Sequence, residues 1–329
     1  MAEDERFAAL TRFAARALGT TAFAIAPASS DASFRRYFRI TAGQDSWIAM
    51  DAPPGKEDLA PFVRIARRFG ALGLHVPEVL ACDAGAGLAL LTDLGETPYL
   101  SRLDRDTADR LYGDALGALV VLQTGTFSDP DFLPPYDETL LRREMELFPE
   151  WYLARYLGRP PTSGERRMLD GVFDRLGTAA LGQPQVWVHR DYHSRNLLVN
   201  EAHNPGILDF QDAVRGPITY DLVSLLKDCY VSWPRERVVD WVQGYCQLAR
   251  ESGLHRCEDE TLFLEWFDRM GIQRHLKVAG IFARLFLRDG KPAYLRDLPL
   301  TMRYLKEATA LYPDLAELHT FLVALPESP

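Results

Sequence analysis

Val188–His189–Arg190–Asp191–Tyr192–His193–Ser194–Arg195–Asn196–Leu197–Leu198–Val199 is the stretch on which the reading turns, with Asp209 following 13 residues after Asn196 in Ile207–Leu208–Asp209–Phe210–Gln211–Asp212. Apolar runs at Val186–Trp187–Val188, Leu197–Leu198–Val199 and Ile207–Leu208, broken by polar residues and Pro205–Gly206, predict strand, loop, strand over 185–211 rather than helix. A one-turn loop between strands sets Asp191 and Asn196 on one side, and the returning strand brings Asp209 alongside. That donor set suits phosphoryl transfer, which needs an oriented hydroxyl and divalent cations against triphosphate charge more than it needs covalent help. Asp191 is expected to accept or orient the proton of the attacking hydroxyl. Asn196 and Asp209 are expected to offer hard oxygen ligands to Mg2+, which keeps several of its waters.

Upstream, aromatic and β-branched residues in 34–40 and 46–50, around a turn at Gly43, predict an antiparallel strand pair. Leu59, Phe62, Val63, Ala66, Phe69 and Leu72 recur at helical spacing in 57–72, and two more strands are predicted at 78–82 and 88–92. After Asp93–Leu94–Gly95 the character changes, with helical periodicity at 106–123, 138–157, 164–181, 238–252, 259–287 and 299–311. The expected fold class is therefore α+β in two lobes, a small N-lobe of antiparallel sheet plus one helix over 1–95 and a larger, mainly helical C-lobe over 96–329. The boundary near residue 95 is expected to act as a hinge.

Composition narrows the classes. The chain has 329 residues, 37 basic and 46 acidic, for a net charge of −9, and 47% of it is hydrophobic. This length favours two lobes over one core. No apolar run reaches the roughly 18 residues a membrane span needs, and the N-terminus opens Met1–Ala2–Glu3–Asp4–Glu5, without a basic leader. A cytoplasmic protein with no membrane partner is expected. Cys82, Cys229, Cys246 and Cys257 form no CxxC pair, which suits a reducing compartment and reads as buried thiols rather than a zinc site. The acidic balance gives no footprint for nucleic acid.

On His189, Asp191, Asn196, Asp209 and Tyr220–Asp221–Leu222, with Leu90–Leu91–Thr92–Asp93–Leu94–Gly95 similar to a hinge beneath adenine, the chain resembles the aminoglycoside phosphotransferase and choline kinase superfamily, relatives of protein kinases. Within it, Ser30–Asp31–Ala32–Ser33–Phe34–Arg35–Arg36–Tyr37–Phe38, Met50–Asp51–Ala52–Pro53–Pro54, residues 141–152 and Asp209–Phe210–Gln211–Asp212–Ala213 resemble the bacterial anomeric kinases of N-acetylmuramate and N-acetylglucosamine in cell-wall recycling. The resemblance implies a protein-kinase-like fold and ATP and Mg2+ as cofactors. It implies an amino sugar as the small-molecule partner and transfer to the anomeric hydroxyl, with Asp191 as base, Asn196 and Asp209 on the metal, and His189 and Asp221 structural. Nucleotide contacts are then expected from Ser30, Ser33, Arg35, Arg36, Thr92, Asp93 and Leu94. Sugar contacts are expected from Arg142, Glu144, Glu146, Gln211, Asp212 and Arg215. Another acceptor (an aminoglycoside, choline, a hydroxy amino acid) and a silent nucleotide-binding module are the alternatives.

One departure stands out. Such kinases carry a strand Lys that pairs the ATP phosphates with a helix Glu, and the corresponding stretch here is Trp47–Ile48–Ala49–Met50–Asp51. Arg35 or Arg36 is expected to supply the phosphate contact, guanidinium geometry matching phosphate oxygens. Several residues have plainer readings. His189, Asp191 and His193 alternate like metal ligands, but a structural His is favoured. Glu57 reads as a solvated first-turn Glu, and Trp151, Trp233 and Trp241 read as core aromatics before sugar-stacking platforms. Arg142 and Arg143 are adjacent, so at most one is expected to reach a sugar pocket.

Overall fold

The computed structural model describes residues 2–29, 34–255 and 258–326. The chain divides into two compact units, Met1–Arg102 with Asn196–Asp212, and Leu103–Arg195 with Ala213–Pro329. The boundary expected near residue 95 falls inside the first unit, which also takes back the segment carrying Asn196 and Asp209.

The first unit opens with α1 (Ala2–Leu18) and the strands β1 (Ala24–Ser29), β2 (Arg36–Ala42) and β3 (Asp45–Asp51). It continues through α2 (Leu59–Ala71), β4 (Val79–Asp83) and β5 (Leu88–Thr92). All neighbouring strands pair antiparallel in the order β1-β2-β3-β5-β4. Where one helix was expected beside the sheet, there are two. α1 lays Leu10, Phe13 and Ala14 on Ile40, Ala49, Leu88 and Leu90. α2 begins at Leu59 rather than Glu57 because the Asp58 side chain caps it, accepting the Ala60 N–H at 2.9 Å. Gly87 closes the sheet against the loop before α2. Its φ is +69° and the Ala52 N–H donates to its carbonyl at 2.8 Å, while an added Cβ would stand 1.9 Å from the Ala52 carbonyl oxygen.

In the second unit, α3 (Ala108–Ser128), α4 (Glu138–Met145), α5 (Ser163–Leu181), α6 (Tyr220–Leu226) and α7 (Arg235–Glu251) are followed by the long α8 (Glu260–Leu287), then α9 (Leu298–Thr309) and α10 (Ala316–Ala324). A short strand pair, Gln185–Val188 with Val214–Pro217, is antiparallel. The helix expected over 138–157 changes type part-way. α4 ends at Met145 and a π-helical segment, Phe148–Tyr156, follows. Pro149 has no N–H to donate back and its ring crowds the carbonyl four residues earlier, so the α ladder cannot run through it. The core gathers Phe148, Tyr152, Leu169, Phe173, Ile272, Leu276, Ala279, Phe282, Leu305 and Leu318 around α8. Gly280 permits this close approach, since a Cβ there would lie 2.3 Å from the Leu147 carbonyl.

Among the described residues no helix is long and apolar enough to cross a membrane. Cys229 and Cys246 are buried as expected, but Cys82 on the β4 edge is exposed, which corrects the reading of all four as buried. Cys257 lies outside the described residues.

Candidate active site

Asp191 belongs to the second unit and is presented by a strained turn. Arg190, just before it, has φ +78°, a left-handed backbone that costs an L-residue about 1–2 kcal/mol. Asp221, on the first turn of α6 and fully buried, holds that turn by accepting the N–H groups of His189 at 2.6 Å and Arg190 at 2.9 Å. The Asp191 N–H donates to His189 Nδ1 at 3.2 Å, so His189 is a backbone anchor. Asp228 accepts the Ser194 N–H at 3.0 Å and also the Ser194 hydroxyl, and Arg195 stacks 3.5 Å from the Tyr230 ring centre. The loop is therefore fixed at both ends by carboxylates from the α6 region.

Charge around Asp191 favours its ionised form. Burial works to raise the Asp191 pKa, but Lys277 first, then His193, Arg190 and Arg274, hold it below the usual carboxylate range. Asp221 goes the other way. Burial pushes it up to about 7, against the two N–H donors that lower it, with Asp191 adding repulsion.

Asn196 and Asp209 sit in the first unit on a hairpin, Leu197–Leu198 against Gly206–Ile207. The Leu208 N–H donates to the Asn196 carbonyl at 2.9 Å, and the Asn196 amide lies 3.4 Å from Asp209 Oδ2. Asp209 is itself left-handed, φ +63°, and its Oδ1 accepts from Gln211 Nε2 at 2.8 Å. Next to it, Phe210 is fully buried, stacked on Phe62 of α2 at 5.0 Å and tilted on Phe69 at 5.8 Å. Among the described residues no three His, Cys, Asp or Glu gather into a metal cluster. One carboxylate and one amide oxygen donor fit Mg2+, which fills its shell with water and phosphate oxygens.

The remaining expected residues scatter. Ser30 and Ser33 lie outside the described residues. Arg36 is committed to the buried Asp51, donating at 2.5 and 3.0 Å, with Arg6 on the other carboxylate oxygen. The Arg36 guanidinium is thus already engaged by a buried carboxylate. Arg35 pairs instead with Glu57 at 2.9 Å, both side chains largely covered, so Glu57 is not the solvated residue expected. Met50 is fully buried. The Thr92 hydroxyl accepts the Glu78 N–H at 2.9 Å, and Asp93 is held by Arg39 at 2.7 Å and the Gly95 N–H at 2.9 Å. Burial raises the Asp93 pKa, but the Arg39 hydrogen bond and charge win and lower it. Leu94 is buried. The Thr92 and Asp93 side chains thus hold the backbone at the end of β5 and just after it.

Of the expected sugar residues, Arg142 and Glu146 share one ion-pair network. Arg142 binds Glu146 at 2.9 Å, Asp174 at 2.9 Å and Asp170, and Arg166 joins from α5. The Arg166 hydrogen bonds hold Glu146 below the usual carboxylate range. Arg215 is spent on Asp131 at 3.2 Å, and Gln211 braces Asp209 with Asp212 exposed beside it. Arg143 is exposed. Glu144 alone of the α4 set points inward, 5% exposed. Trp241 packs on Tyr112 with its ring N–H on Asp109 at 2.9 Å, in keeping with a core aromatic. Sequence reading missed Asp228, Arg274 and Lys277. The available signal was Gln273–Arg274–His275–Leu276–Lys277, a polar run in the middle of α8.

These parts (a braced Asp in a His-Arg-Asp loop and an Asn–Asp pair on the following hairpin) are those of a phosphotransferase. The phosphotransferase enzyme family (APH) matches residues 24–260, and the chain belongs to it. The N-acetylmuramate/N-acetylglucosamine kinase of Pseudomonas aeruginosa is 50% identical over 301 residues, covering 92% of this chain and 88% of its own length. That of Pseudomonas putida is 48% identical, covering 91% and 87%. A choline kinase from Streptococcus pneumoniae shares the fold, with a TM-score of 0.61 at 13% identity over 88% of this chain and 94% of its own. The resemblance read from the loop motifs is borne out at the level of family and fold.

Proposed function

We propose that this protein transfers the γ-phosphoryl group of ATP to the anomeric hydroxyl of N-acetylmuramate or N-acetylglucosamine, giving ADP and the sugar 1-phosphate for recycling of cell-wall sugars. The observation that carries this is the match, at 50% identity along 92% of the chain, to a kinase named for those two sugars, joined to the loop geometry above. In the reaction the sugar oxygen bonds to phosphorus as the bond to the β,γ-bridging oxygen breaks, and Asp191 takes the hydroxyl proton. Its depressed pKa keeps it ready to do so at neutral pH. Asn196 and Asp209 would hold Mg2+, which would supply charge neutralisation to the phosphates. With Arg36 bound to Asp51, Arg35 is the cation assigned to the nucleotide phosphates, oriented by Glu57 as a helix Glu orients the usual Lys.

An acceptor panel with ATP and Mg2+ tests this: N-acetylmuramate, N-acetylglucosamine, choline and kanamycin, with Asp191→Ala alongside. Sugar 1-phosphate formation that Asp191→Ala abolishes is the expected result. Phosphorylation of choline or kanamycin alone would refute the acceptor. In the same assay Arg35→Ala is expected to raise the ATP KM at least tenfold, and an unchanged value removes Arg35 from the phosphates.

A further inference from the structure

Glu144, Arg190 and Lys277 converge from three parts of the second unit's sequence. Glu144 Oε1 accepts from Arg190 Nη2 and lies 3.0 Å from Lys277 Nζ, while Oε2 accepts from the Tyr136 hydroxyl. Lys277 also donates to the Tyr220 hydroxyl at 2.9 Å, and Gln273 donates to the Tyr136 hydroxyl at 3.1 Å. All three charged side chains are largely buried, Glu144 at 7%, Lys277 at 10% and Arg190 at 19% exposed. Buried charges persist only when paired, and removing one partner strands the other. Both oxygens of Glu144 are thus already engaged, leaving it poorly suited to a sugar hydroxyl.

We propose that Glu144 and Lys277 are positioning residues for Asp191, forming with Arg190 a buried charge clamp that locks the left-handed turn on which Asp191 is presented; this rests on the reading of Asp191 as the base. Asp221 fixes the turn through its backbone N–H groups, and the clamp fixes it through the Arg190 side chain. The cluster holds two cations against one carboxylate, and Asp191 supplies the second negative charge. In line with this, Lys277 contributes the largest charge effect keeping Asp191 ionised.

The test compares Glu144→Gln, Lys277→Met and Lys277→Arg with the parent protein. For each we would measure kcat, the sugar and ATP KM values, thermal unfolding, and hydrogen exchange in the peptide covering 186–198. The clamp predicts kcat at least tenfold down in Glu144→Gln and Lys277→Met, with both KM values within about twofold, faster exchange in that peptide, and kcat restored to within threefold by Lys277→Arg. A tenfold rise in sugar KM with kcat intact would make Glu144 a sugar ligand and overturn the clamp. A lowered kcat with unchanged exchange would overturn it too, placing Lys277 on the substrate. If the parent phosphorylates neither sugar, the proposed function fails while exchange still decides the clamp. Should Glu144→Gln not fold, Lys277→Met and Lys277→Arg carry the same comparison.

Discussion

Asp221 gives the prediction that can be worked furthest, because its environment and its bonds pull in opposite directions. Folding raises its pKa from an ordinary 3.8 to about 7, burial being the main cause. Between those values the folded protein binds a proton at Asp221 that the unfolded chain has released, so stability falls as pH rises across that window. At 1.36 kcal/mol per unit, a gap of about three units is worth at most about 4 kcal/mol from this one group. That stability is fully present below about pH 4 and lost as pH rises through 7. Asp221→Asn removes the proton linkage, but its single amide oxygen cannot serve both the His189 and Arg190 N–H groups as the two oxygens of the carboxyl group do, one of them a hydroxyl below pH 7. Leaving one buried donor unmet costs about 1–3 kcal/mol. The variant is therefore expected to be less stable than the parent at pH 5 and to draw level with it or pass it by pH 7.5. Urea unfolding of both proteins across that range reads the effect. Groups that do not interact with Asp221 titrate in both proteins and cancel in the difference curve, whereas the repulsion from Asp191 is part of the linkage being read. Parallel curves, with no pH dependence in the difference, would refute the assignment of a proton to buried Asp221. Activity is a separate readout: with the turn at Arg190 loosened, kcat should fall at least tenfold at pH 7.5 even where stability is restored.

Two further changes probe the parts that hold the site. Phe210→Ala empties the space against Phe62 and Phe69, and is expected to cost about 3–5 kcal/mol. It should also raise the Mg2+ concentration needed for half-maximal rate, which an activity titration over Mg2+ checks; an unchanged Mg2+ requirement would mean that Phe210 does not hold Asp209. Gly280→Ala pushes a methyl into the Leu147 carbonyl, costing about 1–3 kcal/mol. Thermal unfolding should show the loss, and unchanged stability would mean that α8 and the π-helical segment part readily.

The strands β2 to β5 and helix α8 are legible because apolar residues recur at the spacing of each element along most of its length, and the His189–Asn196 loop because its chemistry is carried by types and spacing. α1 buries Leu10, Phe13 and Ala14 in the core, too few apolar positions beside an acidic N-terminus to stand out as a helix in the sequence. Helical periodicity continues on both sides of Pro149, so apolar spacing alone does not mark the change from α4 to the π-helical segment. The ligand expectations for Arg36, Arg142 and Glu146 came from residue type. Type cannot show a prior commitment, and each is held by a partner distant in sequence: Arg36 by Asp51, Arg142 by Asp170 and Asp174, Glu146 by Arg166. Lys277 was invisible for the same reason, since nothing in a single chain says that a lysine 133 residues after Glu144 will lie 3.0 Å from it.

Arg190 and Asp209 are the two non-glycine residues with positive φ among the described residues, and each stands at or beside a carboxylate of the proposed chemistry. A left-handed backbone at an L-residue persists only where its surroundings over-determine it. The two units do this by different means. In the second unit charge does it: the Asp221 carboxylate on two N–H groups and Glu144 on the Arg190 side chain. In the first unit apolar packing does most of it: Phe210 wedged against α2, with Gln211 and Asn196 trimming the Asp209 side chain. A charge-held turn is loosened by substitutions that change charge at constant shape, whereas a packing-held turn is loosened by lost volume at constant charge. The base and the metal ligands should therefore fail separately. Glu144→Gln should act on kcat without touching the Mg2+ requirement, and Phe210→Ala should shift the Mg2+ requirement at a kcat that saturating Mg2+ largely restores.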